Sequence, residues 1–144
     1  MIITPHMLVG AAIGAQTSNI WAAFSFGFLS HFLLDALPHW DYLRKIDISK
    51  SSHRRKMGFD LILGTVSVLI FVWFYPENFL FLIVGALAAL IPDCIQYLYY
   101  TFNISWLERI SWFHEKVHWK QVSFWPGLPF MLVVCLAAIF VLTG

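Results

Sequence analysis

The residues able to do chemistry in this chain are histidines and aspartates within or beside apolar segments. His31 and Asp35 lie four residues apart in one such segment, and His114 and His118 repeat the spacing further along. Side chains four residues apart lie on one face of a helix, one turn from each other. This spacing lets two side chains hold one metal ion, as in the helical His-x-x-x-His pairs of metalloproteases.

Other ionisable residues occur where an unpaired charge is costly and a functional role is the default hypothesis. We therefore predict a metal site with ligands drawn from a set of histidines and aspartates: His6, His31, Asp35, His39, Asp60, Asp93, His114 and His118. Asp41 or Asp93, where it is not a ligand, is the candidate catalytic base. Two structural alternatives stay open. His6 can be a histidine at the membrane interface, and His114 and His118 can line the solvent-facing side of an amphipathic helix.

A mixed set of imidazoles and carboxylates favours Zn²⁺, with Mn²⁺ or Fe²⁺ as alternatives, over Ca²⁺ or Mg²⁺. Four of these histidines, together with the aspartates at 35, 41, 60 and 93, are enough to hold one or two ions. Two ions about 3.5–4 Å apart can generate hydroxide and stabilise both oxygens of a phosphoester displacement. The sequence therefore predicts a divalent metal cofactor.

The composition predicts that these residues lie in a membrane protein. The chain has 144 residues, of which 60% are hydrophobic and only 12% charged, and its mean hydropathy is +0.74. A soluble globular protein has about 25% charged residues, and a small domain has much surface to cover. We predict one integral membrane domain over residues 1–144, and we exclude a soluble enzyme and a nucleic-acid-binding protein.

The apolar segments predict an all-α bundle with about five membrane helices, since a span needs roughly 17–25 residues. The first, ending near residue 15, is short and is either a thin span or a re-entrant half-helix. Thr4-Pro5 is predicted to cap it. The others are predicted over 20–37, 57–75, 79–100 and 128–143. Ser105–Glu108 is a capping-box pattern that opens an amphipathic helix, predicted to lie at the membrane interface.

The basic residues predict the orientation of the bundle. All nine Lys and Arg residues lie in two segments, 44–56 and 109–120, which the hairpin of the third and fourth helices places on one side. The positive-inside rule makes that side cytoplasmic, in a multi-pass protein of the inner membrane. His6, His31, Asp35, Asp60 and Asp93 then each lie within roughly 10 Å of this boundary, at about 1.5 Å per helical residue.

Small residues share helix faces with the candidate ligands. Gly10 and Gly14 follow His6 at four-residue steps, and Gly85 precedes Asp93 by eight residues. Small residues let membrane helices approach closely, so we predict that the ligands face the interior of the bundle. The same faces can also serve self-association, which leaves a homo-oligomer open.

The segment His31-Phe-Leu-Leu-Asp35-Ala-Leu-Pro38-His39-Trp-Asp41-Tyr42, with the opening Thr4-Pro5-His6, resembles the small membrane-bound metal-dependent hydrolases of bacteria. It is more loosely similar to the helical zinc-dependent phospholipase C domain. The resemblance implies an all-helical metal site acting on a phosphoester. It implies His6, His31, Asp35 and Asp41 as ligands, and Ile91-Pro92-Asp93 resembles a Pro-Asp element of these hydrolases.

The leading hypothesis is a membrane-embedded metal-dependent hydrolase that acts on a lipid-linked phosphoester near the cytoplasmic leaflet. Membrane lipid is the predicted partner, and Arg54, Arg55 or Lys56 would attract an anionic headgroup as substrate. A carrier for divalent cations or protons is the second hypothesis, and it needs polar groups through the full membrane depth. A non-catalytic scaffold or assembly factor is the third, and bis-histidine haem binding ranks last.

Overall fold

A computed structural model describes residues 1–42, 47, 49–118 and 121–143 of the chain. Within these residues the fold consists of six α-helices: α1 (Ile3–Ala15), α2 (Ile20–Asp35), α3 (Ser51–Phe74), α4 (Phe79–Phe102), α5 (Glu108–Val117) and α6 (Phe124–Thr143). Short 3-10 turns at Pro76–Asn78 and Ser105–Leu107 precede α4 and α5. The predicted all-α bundle is confirmed.

Three segments of the described chain are long and apolar enough to cross a membrane: Ser51–Phe74, Pro76–Phe102 and Phe124–Thr143. The helices α1 and α2 are also apolar, but they have 13 and 16 residues. We predicted that α2 extends to residue 37 and is long enough to span. It ends at Asp35 because Pro38 disfavours a helical conformation in the residue before it.

Several helix starts differ from the sequence-based predictions. The helix α3 begins at Ser51, six residues before its predicted start at residue 57. The helix extends there because Arg54, Arg55 and Lys56 are good helix formers, even though they lie outside the apolar pattern. The predicted capping box does not form, since neither the turn at Ser105–Leu107 nor α5 has a side-chain cap. The helix α1 begins one residue before Thr4, whose side chain contacts α3 instead of capping its own helix.

A short parallel pairing that the sequence did not predict ties two connecting segments together. Strand β1 (His39–Trp40) pairs with β2 (Gln121–Val122), and His39 lies opposite Gln121. The first segment follows α2 and the second follows α5. This pairing therefore holds the ends of α2 and α5 close to each other.

The helix α1 lies at the centre of the bundle, in contact with α2, α3, α4 and α6. Its packing depends on glycine, because a Cβ atom on Gly14 would lie 2.0 Å from the Phe81 carbonyl oxygen. A Cβ on Gly10 would lie 2.4 Å from the Gly85 oxygen, and one on Gly27 would lie 2.6 Å from the same atom. The predicted close approach of the small-residue faces is thus confirmed for α1, α2 and α4.

Candidate metal centre

The centre of the candidate site is the carboxylate of Asp35, which is fully buried at the end of α2. Its Oδ2 atom lies 2.9 Å from His114 Nε2 and 3.0 Å from His31 Nε2. Its Oδ1 atom lies 3.2 Å from the Nε2 atoms of both His6 and His118. Each carboxylate oxygen therefore faces two imidazoles, and the four rings come from α1, α2, α5 and the residue after α5.

Three overlapping groups of side chains have donor atoms within 4.8 Å of one another, and each could hold a metal ion. The groups are His6 with His31 and Asp93, His31 with Asp35 and His114, and Asp35 with His39 and His118. The structure thus brings together seven of the eight residues predicted as metal ligands. Asp35 belongs to two of these groups, and so does His31.

Carbonyl contacts fix the rings of two of these histidines. The Nδ1 atom of His31 lies 2.7 Å from the Ala89 carbonyl oxygen, and that of His39 lies 2.7 Å from the Leu37 oxygen. A carbonyl oxygen can only accept, so each Nδ1 carries a proton, and each ring presents a lone pair at Nε2 when it is neutral. Metal-ligating histidines are commonly oriented by such a bond at the other nitrogen.

The atoms that face each other in this site need a positive charge between them. His31 Nε2 faces a carboxylate oxygen of Asp35 at 3.0 Å, and a neutral ring would repel this oxygen unless a proton or a metal ion lay between the two atoms. His39 Nε2 is buried with no hydrogen-bond partner. Burial lowers the pKa of His39 to about 4, so its ring is neutral near pH 7 and can bind a metal.

The buried Nε2 atom of His6 fits a metal better than an ordinary hydrogen-bond network. It has no hydrogen-bond partner, although it lies 3.2 Å from Asp35 Oδ1. Leaving such a group unsatisfied costs about 1–3 kcal/mol. With Zn–N bonds of 2.0–2.1 Å, ligand atoms of a tetrahedral site are about 3.3 Å apart, close to the spacing around Asp35.

The two predicted base candidates lie at the edge of the cluster. Asp93 Oδ1 is 3.7 Å from His31 Nε2, and the Asp93 side chain is 28% exposed. On the other side, Asp41 Oδ2 is 3.9 Å from His118 Nε2, with 16% of the side chain exposed. Both carboxylates therefore lie close to the histidines of the cluster, and both side chains are partly exposed.

Asp60 is the predicted ligand that lies outside these groups. Its Oδ2 atom accepts from the Ile3 amide at 2.6 Å and from the Tyr42 hydroxyl at 3.2 Å. Its Oδ1 atom accepts from the Thr4 amide at 3.1 Å and from the Thr4 hydroxyl at 2.6 Å. Burial and the neighbouring Asp60 carboxylate raise the pKa of Tyr42, so the phenol stays protonated and donates. Asp60 thus caps the start of α1 and positions His6.

The sequence analysis did not identify two further contacts of the cluster. The Gln121 amide nitrogen lies 2.8 Å from His118 Nδ1, and the Met1 nitrogen lies 2.8 Å from His118 Nε2 and also contacts Asp35. Gln121 reaches the site through the pairing of β1 with β2, which no spacing pattern reveals.

No protein-family model, curated protein or solved structure matches the chain. The functional interpretation therefore depends on the geometry of the cluster and on its position in the bundle.

Proposed function

We propose that the chain is a membrane-embedded metal-dependent hydrolase that acts on a lipid-linked phosphoester. The observation that carries the proposal is the surroundings of the Asp35 carboxylate. It is fully buried, and four imidazole Nε2 atoms lie 2.9–3.2 Å from its oxygens. The Met1 nitrogen also contacts this carboxylate, and imidazole with carboxylate is a typical donor set for Zn²⁺.

Two ligand sets share Asp35 in this proposal. His31 and His114 complete one set, and His39 and His118 complete the other. The chemistry that a bound divalent ion would supply is activation of water and stabilisation of the phosphoester oxygens. Asp93 and Asp41, at the open edges of the two sets, are the carboxylates placed to take up the proton that the water loses.

The position of α5 supports a substrate at the level of the lipid headgroups. Its buried face carries Ser111 and His114, whereas Trp112 and Phe113 on other faces are 55% and 50% exposed. The Lys116 amine lies 4.1 Å from the Trp112 ring centroid. Exposed aromatic and basic side chains on an amphipathic helix are typical of a helix in the membrane interface, so the site is expected to face the headgroups on the predicted cytoplasmic side.

The packing of α1 favours a fixed site over an ion carrier. A carrier needs a polar path through the membrane, but α1 contacts α4 backbone to backbone at Gly10, Gly14 and Gly85. The buried cluster that continues from there is apolar and includes Leu8, Leu82 and other hydrophobic side chains. Both features favour a function confined to one end of the bundle.

Hydrolysis by the purified full-length chain in detergent tests the proposal, with bis(p-nitrophenyl) phosphate and phosphatidic acid as probes. We expect turnover that EDTA abolishes and that added Zn²⁺, Mn²⁺ or Fe²⁺ restores. Asp35→Asn should reduce turnover to background. Asp47→Asn makes the same chemical change at a side chain that is 44% exposed, and it should leave turnover unchanged. Turnover that survives EDTA, or equal turnover in the two variants, would contradict the proposal.

A further inference from the structure

An apolar groove runs between α1, α2 and α6, and none of the residues of the metal-ligand cluster lines it. It has a volume of ≈ 530 Å³, and its walls include Val9 of α1, Phe26 and Leu34 of α2, and Val134 and Val141 of α6. Its lining side chains are uncharged, and its polar members, Gln16 and Thr17, lie together at one end.

We propose that this groove binds the hydrocarbon tail of a lipid whose phosphate headgroup lies at the Asp35 cluster. The role of the headgroup rests on the proposed function, whereas the binding of the tail does not.

The groove points towards the metal-ligand cluster. Leu34, which lines it, immediately precedes Asp35 in α2. Leu34 also packs with Met1 and Met131, and the Met1 nitrogen contacts Asp35. The opposite end is closed where the Gln16 amide donates to the Val141 carbonyl at 3.3 Å. A tail that lies in the groove therefore has its polar end near Asp35 and its methyl end near Gln16.

The size of the groove favours a lipid tail over a helix of a second copy. Val134 and Val141 are seven residues apart, which is about 10 Å along a helix. A helix with side chains is about 10–12 Å in diameter, so a helix of a second copy laid along this length would cover only about 100–120 Å² here, against about 800 Å² per partner in a standard interface. A hydrocarbon tail is thinner than a helix.

The groove is also continuous with surface that suits lipid. Phe26 and Val141 on its walls are 56% and 40% exposed, and the neighbouring outer faces carry Leu33 at 70% and Phe140 at 76%. Contiguous exposed apolar surface of this kind marks a membrane or interaction site. A tail can thus enter sideways from the bilayer without crossing a polar rim.

Photo-crosslinking in nanodiscs tests the proposal directly. The full chain is placed in phosphatidylcholine nanodiscs with a trace of phosphatidic acid that carries a diazirine in one acyl tail, and the labelled residues are mapped by mass spectrometry. We expect labels to be enriched several-fold on the groove walls over the outer faces at Leu33 and Phe140. Val134→Phe should remove most of this enrichment. Val133→Phe, at a neighbouring residue that is 65% exposed and does not line the groove, should leave it intact.

Even labelling of groove and outer faces, or equal labelling in the two variants, would overturn the proposal. So would crosslinks showing that a helix of a second copy fills the groove. If Val134→Phe fails to fold, Val141→Phe at the more exposed end of the groove provides the same test.

The tail site and the hydrolase can fail separately. Groove labelling in wild type and in Asp35→Asn, with no phosphoester turnover, would support the tail site and contradict the hydrolase. Turnover without enrichment of labels in the groove would support the hydrolase and contradict the tail site.

Discussion

Replacement of Asp60 by asparagine should destabilise the fold without removing the metal ligands. Asp60 accepts four hydrogen bonds, two at each carboxylate oxygen. Two of them come from the first amides of α1, at Ile3 and Thr4, and Pro5 has no amide hydrogen to satisfy. A single carboxylate on α3 thus completes the N-terminal cap of α1, where the helix dipole also favours negative charge.

The expected loss of stability follows from the change in acceptors. Asparagine keeps one acceptor oxygen and replaces the other by an NH₂ group, which faces the Ile3 amide or the Thr4 donors. Hydrogen bonds to charged groups contribute about 1.5–3 kcal/mol each. The Tyr42 hydroxyl can rotate and accept a hydrogen bond from the new NH₂ group, which limits the loss. We therefore expect Asp60→Asn to lower the free energy of unfolding by about 2–4 kcal/mol.

Thermal unfolding in detergent, followed by circular dichroism, measures this loss, and Asp47→Asn is the matched control. Asp47 is 44% exposed and pairs with Lys50 at 3.4 Å, so its variant should stay within about 0.5 kcal/mol of wild type. Folded Asp60→Asn should retain the metal content of wild type. Equal stability of the two variants, or a folded Asp60→Asn protein without metal, would refute the assignment of Asp60 as the cap of α1.

Two further predictions concern packing and pH. Gly14→Ala should destabilise the bundle by about 1–3 kcal/mol, as overpacking does, because its Cβ would lie 2.0 Å from the Phe81 carbonyl oxygen. Gly58→Ala is the control, since its Cβ would have nothing within 4 Å, and it should be neutral or stabilising in the same thermal unfolding assay. Burial lowers the pKa of His39 to about 4, against about 6.5 for a free imidazole. Between these values the unfolded chain binds a proton that the folded chain does not, so EDTA-treated protein should lose stability as the pH falls from about 6.5 to 4. His39→Gln should reduce this pH dependence; an unchanged slope would contradict the burial of a neutral ring.

The sequence predicted the helices and the convergence of the ligands because both depend on local patterns. Apolar runs define the helices that are long enough to span a membrane, and the scarcity of charge makes each histidine or aspartate beside an apolar run a strong candidate. The i, i+4 spacing predicted that His31 and Asp35 would act together, and their atoms lie 3.0 Å apart. The glycine faces likewise predicted which helix surfaces pack.

The features that the sequence did not predict depend on contacts between distant segments. Asp60 has the same apolar surroundings as the ligands, and only the position of α1 shows that its carboxylate accepts hydrogen bonds from Thr4. The pairing of His39 with Gln121 involves two residues per strand, which is too short for a period-two pattern. The length of α2 was overestimated because its apolar composition continues past the point where Pro38 ends the helix.

The metal content of the purified chain tests the central claim most directly. Protein produced with Zn²⁺, Mn²⁺ and Fe²⁺ supplied and purified without chelators is measured by inductively coupled plasma mass spectrometry, alongside Asp35→Asn and Asp47→Asn. Because two of the three ligand groups share Asp35, wild type and Asp47→Asn should each carry one or two divalent ions per chain, and Asp35→Asn should lose most of this metal. Wild-type protein without metal, or folded Asp35→Asn with the same content as wild type, would contradict a metal centre built around Asp35.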